Sequence, residues 1–189
     1  MTNPRARQEL GEIHLIPPDR MLTGPNSWYV ISAFCHFSEN GSRFADGTFG
    51  AYYAANDFTT AVKEKAYGFT QQFLSATEEP IIDIKCRTLV GKIDALLHDI
   101  RFGNEWNNYY LTDDYTHSQK LAKQLRTQNS NGIVYQSVRN QGGECFAAFW
   151  PDVVSIPTQE RHIIYHWNGK QITDYSEIRH DTNAERVSI

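Results

Sequence analysis

The 189-residue chain is poor in cysteine, and its three, Cys35, Cys86 and Cys145, are widely spaced and form no C-x-x-C pair. A zinc ribbon and a disulfide framework are therefore not expected, and three reduced thiols in apolar runs fit a cytoplasmic protein. Long apolar stretches are missing too. None approaches transmembrane length, and the opening MTNPRARQELGEIHLIPPDR holds no apolar signal core. Basic residues are in deficit, 18 against 22 acidic ones, for a formal net charge of -4 without a long basic run. Direct nucleic-acid binding is thus not expected, nor is a membrane partner. The seven histidines are scattered, so no metal site is expected. G-x-S-x-G, G-x-G-x-x-G and G-x-x-x-x-G-K-[ST] are absent, which leaves a hydrolase elbow, a Rossmann turn and a P-loop unsupported.

Aromatic residues are plentiful: ten Tyr, ten Phe and four Trp. They build cores and also line pockets where one edge of a ring is wet. The length suits one domain, with residues 1–16 an irregular lead-in and 176–189 a tail. WYVISAFCHF (28–37) is aromatic and β-branched and predicts a strand, followed by a glycine-rich turn region and a short strand AYYAA (51–55). Asp57 caps a predicted helix, FTTAVKEKAYGFTQQFLSA, whose Phe58, Ala61, Val62, Ala66, Phe69 and Phe73 form one stripe. IIDIKCRTLV (81–90) alternates as a strand, KIDALLHDI (92–100) predicts a short helix, and THSQKLAKQLRTQ (116–128) a longer one. GIVYQ, CFAAFW, RHIIYHW and QITDY are strands, the last two joined by an NGK turn. The order predicts an α+β domain with a mainly antiparallel sheet and flanking helices.

Taken singly, the polar residues are unremarkable in type and place. Arg43 sits in a glycine-rich loop, where arginines are usually solvated. Tyr53 shares a strand face with Ala51 and Ala55. Glu64 falls opposite the apolar stripe of its helix, which reads as a surface carboxylate. Ser137 closes a strand ahead of a Gly-Gly turn, and Cys145 reads as core.

In combination they say more. GSRF-DG-FG-YYAANDFTTAVKE, followed much later by GIVYQSVRNQGGECFAAFWP, closely resembles the RES domain family, from about Pro17 to Tyr175. The family is named for an Arg, a Glu and a Ser, which fall on Arg43, Glu64 and Ser137, with Tyr53 as a fourth member. One departure stands out, since Gly68 occupies a place where the family suggests His. The resemblance implies a fold similar to ADP-ribosyltransferases and a bacterial toxin that destroys NAD. It also implies a neutralising antitoxin with a helix-turn-helix domain.

The implied reaction is phosphorolysis, in which NAD and phosphate give nicotinamide and ADP-ribose 1″-phosphate. NAD and inorganic phosphate are then substrates, and no resident cofactor is expected. Glu64 would stabilise positive charge on the ribose, Arg43 would pair with the pyrophosphate and Tyr53 would stack on nicotinamide. Ser137 would bond the carboxamide or the phosphate, and Arg139 or Arg20 would complete a cationic pocket. Water in place of phosphate makes the enzyme an NAD glycohydrolase, and a protein nucleophile makes it a mono-ADP-ribosyltransferase. A non-catalytic protein-binding module is the alternative from another class. The aromatic loop NEWNNYY is a candidate lid or a contact in a homo-oligomer.

Overall fold

The helix foreseen after Asp57 runs from Phe58 to Ala76 and divides the molecule. A computed structural model of the chain describes residues 11–76, 81–178 and 185–188. The first helix, α1 (Trp28–Cys35), lies where a strand was expected, and α2 is Phe58–Ala76. In α1 the buried residues are Val30, Ile31, Phe34 and Cys35, a helical spacing. Burial of that stripe overrides the β-propensity of its aromatic and branched residues.

Two four-stranded sheets form where one was expected. The first has β1 (Tyr52–Ala55), β5 (Glu144–Ala148), β4 (Gly132–Gln136) and β3 (His98–Asp99) in that order, with only β3 and β4 parallel. The second orders β2 (Ile82–Val90), β6 (Thr158–Trp167), β7 (Ile172–Ile178) and β8 (Glu185–Ser188), all antiparallel. The stretch expected as a tail from residue 176 thus supplies the end of β7 and all of β8, while residues 1–10 of the lead-in lie outside the described residues. The short helix expected over 92–100 is absent. Ile93, Ala95 and Leu97 are half-buried while Asp94 and Leu96 are exposed, a period of two that belongs to extended chain. Helix α3 (Thr116–Thr127) matches expectation closely.

Each sheet has its own core. Val30, Phe44, Phe49, Ile133, Ala147 and Phe149 centre the first. In the second, Val62 and Ala66 of α2 pack with Phe69 and Phe73 against Ile163, Tyr165 and Trp167 of β6. Helix α2 also touches β1, so its apolar stripe faces one sheet and its other flank reaches the first. Its N-terminus is capped by Asp57, which accepts from Thr60 N at 2.9 Å and Thr60 Oγ1 at 2.5 Å. Those bonds hold the Asp57 carboxyl below its usual range. His162 and His166 are four residues apart on β6. Such a spacing puts two ligands side by side on a helix, but on a strand it separates them by about 13 Å. His166 instead contacts Asp83 and Ser176 on the neighbouring strands, at 2.7 and 2.9 Å.

Candidate active site

Strand β4 ends at Gln136, and Ser137 begins the turn that leads into β5. The Ser137 hydroxyl oxygen accepts from the backbone N–H of Arg139 at 3.1 Å and of Asn140 at 2.9 Å. With its oxygen so occupied, the hydroxyl proton points to Glu64 Oε1, 2.6 Å away. The turn reaches α2 a second time, where Asn140 Nδ2 donates to Thr60 Oγ1 at 2.8 Å. A Cβ on Gly143 would lie 2.3 Å from that same Thr60 oxygen, so the turn approaches the helix this closely only because glycine stands there. The flank of α2 opposite the apolar stripe therefore meets the end of the first sheet, and the carboxylate of Glu64 is half-buried.

Cys145 on β5 places its Sγ 3.8 Å from the same Glu64 oxygen. Burial, then the charge of Glu64, pushes the thiol up to about 12. A thiol so raised stays protonated at neutral pH and is no nucleophile. Its 2% exposure agrees with a core role, but its contact with Glu64 was not visible in the sequence.

Tyr53 and Arg43 are tied together through the backbone. The Tyr53 hydroxyl accepts from Phe44 N at 2.9 Å and shares a 2.8 Å bond with Ser42 Oγ, bracketing Arg43. Seclusion of the hydroxyl pushes it up to about 12. The residue as a whole is nonetheless 37% exposed. The Arg43 guanidinium is buried. Its Nη1 donates to the carbonyls of Tyr109 and Leu111, both at 2.9 Å, and it lies 4.7 Å from the Tyr115 ring centre. The loop from Arg101 to Tyr115 is thereby fastened beside Tyr53, a link that the loop's polar sequence did not signal.

Tyr135 on β4 joins the two halves of the site. Its buried phenol is pushed well up, first by burial and then by Cys145, Tyr53 and Glu64, with Arg43 opposing. Arg43, Tyr53, Glu64 and Cys145, from four separate segments, all act on this one hydroxyl, and Ser137 is joined to them through its bond to Glu64. Tyr135 itself read only as a strand residue.

Arg139 lies beside this group, its guanidinium carbon 3.4 Å from the centre of the Tyr67 ring. Arg20 does not join them. It donates to Asp152 at 2.9 Å and to Asn131 at 2.9 Å, next to the start of β4. Ser137 is six residues further along, about 20 Å away in extended chain. Gly68 is exposed on α2, and among the described residues a Cβ there would meet nothing within 4 Å. A larger groove of about 750 Å3 lies elsewhere, against Glu12, Cys35, His36, Glu39 and Thr48. It carries two carboxylates, the wrong sign for a pyrophosphate, and shares no residue with the site.

The profile of the RES domain matches residues 17–168. The chain belongs to the RES domain family. No curated protein matches it closely enough to name a relative. RES domains are toxin–antitoxin modules and pair with antitoxins. In this RES domain the matched span holds Arg43, Tyr53, Glu64 and Ser137 and ends at Asn168, in the turn between β6 and β7. Among the described residues no helix is long and apolar enough to cross a membrane.

Proposed function

We propose that this RES domain is a toxin that degrades NAD by phosphorolysis, releasing nicotinamide and ADP-ribose 1″-phosphate. The observation that carries the reading is the half-buried carboxylate of Glu64, oriented by the Ser137 hydroxyl at 2.6 Å. The bond that breaks joins the ribose C1″ to the nicotinamide nitrogen. Its electron pair leaves with nicotinamide, which departs neutral and needs no general acid. Positive charge develops on the ribose, as in glycoside cleavage. A carboxylate about 4 Å away contributes on the order of 4 kcal/mol at an effective dielectric of about 20. If that attraction exists only in the transition state, it is worth about three decades of rate.

A phosphate oxygen then forms the new bond to C1″. The cationic nicotinamide ring stacks on the partly exposed Tyr53. Ser137 acts as a positioning residue, since its hydroxyl already donates a hydrogen bond to the Glu64 carboxylate. Arg43 contributes positive charge and holds the Tyr109–Leu111 segment in place, and Arg139 is the cation nearest Ser137 in sequence. The α+β architecture with two sheets is compatible with an ADP-ribosyltransferase-like fold, which adds support. The antitoxin in this reading carries a helix-turn-helix domain, and the toxin acts in the cytoplasm on the free NAD pool.

The test is incubation with NAD in phosphate-free and phosphate-containing buffer, with products identified by mass. ADP-ribose 1″-phosphate formed in proportion to added phosphate is the expected result. Free ADP-ribose formed regardless of phosphate means hydrolysis, and a mass increment on protein means ADP-ribosyl transfer. No nicotinamide release removes the enzymatic reading in favour of a binding module.

A further inference from the structure

Arg139 holds two donors that the protein leaves unused. Its Nε and Nη2 are closed to solvent and, among the described residues, have no acceptor. These two N–H groups point the same way from one edge of the guanidinium, the edge that grips two oxygens of a phosphate or carboxylate. Burying such donors without a partner is costly, and native proteins seldom do so unless an ion or ligand completes the site. The guanidinium does not lack a neighbour altogether, since Tyr67 lies flat against it. An aromatic face supplies cation–π attraction but accepts neither in-plane bond.

Arg139 borders a hollow of about 280 Å3, shared with Lys63, Tyr67, Thr70 and Gln171. Among the described residues no carboxylate lines it, so it carries two cations in a chain of net charge -4. Its volume lies at the lower end of the roughly 300–1,000 Å3 typical of small-molecule pockets, room for a small anion and little for a whole dinucleotide. Its wall is continuous with the catalytic group. Lys63 adjoins Glu64 on α2 and donates to Asn140 Oδ1 at 3.2 Å, in the turn that Ser137 opens.

We propose that this hollow is a phosphate seat, in which Arg139 grips two phosphate oxygens through its Nε/Nη2 edge and Lys63 supplies the second positive charge. The phosphate group is that of the inorganic co-substrate or one belonging to the dinucleotide, and the former assignment rests on the phosphorolysis reading. The edge is closed to solvent, so loading requires the long side chains that line the hollow, Lys63 and Gln171, to change rotamer.

Calorimetric titration of the full chain in phosphate-free buffer, with inorganic phosphate and separately with ADP-ribose, tests this. The unaltered protein is expected to bind at least one of the two saturably. R139Q should weaken that ligand about 10- to 100-fold, and R139K should not restore it, because an ammonium has no fork. K63M should weaken it about three- to tenfold, and it carries the comparison if R139Q melts early. Loss confined to inorganic phosphate places the co-substrate in the seat, and loss confined to ADP-ribose places a dinucleotide phosphate there. Absence of binding by the unaltered protein, or equal affinities in the variants, overturns the proposal. The readout is binding and not turnover. A protein that binds phosphate through Arg139 without cleaving NAD therefore keeps the seat and loses the catalytic reading.

Discussion

Ser137 and Glu64 are 73 positions apart in the chain, yet the serine hydroxyl donates to the carboxylate at 2.6 Å. The bond joins the end of a strand in one sheet to the helix that packs on the other. Both residues depend on it. Glu64 gains a fixed orientation, and Ser137 has its remaining lone pairs taken by the N–H groups of its own turn.

Glu64→Gln keeps the size of the side chain and removes its charge. Nicotinamide release is expected to fall about 1,000-fold while the melting temperature stays within a few degrees. An amide that still turns over at a tenth of the normal rate would mean that Glu64 is not the electrostatic partner of the ribose.

Ser137→Ala removes the donor to Glu64 and the acceptor for two backbone N–H groups. Stability should drop by about 1–3 kcal/mol in urea denaturation. The kcat for NAD is expected to fall more than KM rises, because Glu64 loses its orientation and not its charge. Ser137→Thr retains a hydroxyl and should recover much of the rate. A threonine variant as slow as the alanine would instead assign Ser137 a purely structural role in the turn.

Arg43→Lys keeps a positive charge but cannot reproduce the guanidinium that donates to Tyr109 and Leu111 and lies on Tyr115. The 101–115 loop should come loose. Limited proteolysis is the measurement, with cleavage inside that loop expected to quicken severalfold and the KM for NAD to rise. Protection equal to that of the unaltered protein would show that Arg43 is not what fastens the loop.

Gly68→His fills open space on the exposed side of α2, four residues beyond Glu64. Replacing a helical glycine should stabilise the fold by a few tenths of a kcal/mol. Turnover of NAD is expected to rise if the imidazole reaches the same cleft as Glu64, as their shared helix flank requires. Turnover equal to or below that of the unaltered enzyme would place position 68 outside the site.

Cys145 gives a pH signature. Its native thiol is pushed up to about 12, above the ordinary value of 9 to which it returns on unfolding. The native state thus holds the proton more tightly. Its contribution to stability is complete below about pH 9 and is lost as pH climbs toward 12. Iodoacetamide at pH 8.5 should leave Cys145 unmodified in the native protein and label it after denaturation. Rapid native labelling, read by peptide mass, would contradict the burial that raises it.

Helix α2 was legible from end to end because its evidence is local. Asp57 caps it, and Val62, Ala66, Phe69 and Phe73 repeat at a period that only a helix satisfies. Helix α1 was not legible, since Trp28, Tyr29, Val30 and Ile31 favour strand by propensity. The choice fell to what Val30 and Phe34 could bury against. By sequence Arg20 and Arg139 were both candidates for a cationic pocket, Arg20 the weaker. Only the structure shows one bonded to Asp152 and Asn131 and the other with two buried donors that have no acceptor among the described residues.

By itself the sequence determined the residue types, the α+β class and, through two separated blocks of motif, the RES domain membership. The tertiary structure alone decided what the polar flank of α2 faces. A helical period reports which side of a helix is apolar, but the polar side can meet either water or the end of another element. The outcome depends on a turn some 70 residues away whose Gly143 lets it close on Thr60, and no local pattern around Glu64 encodes that contact.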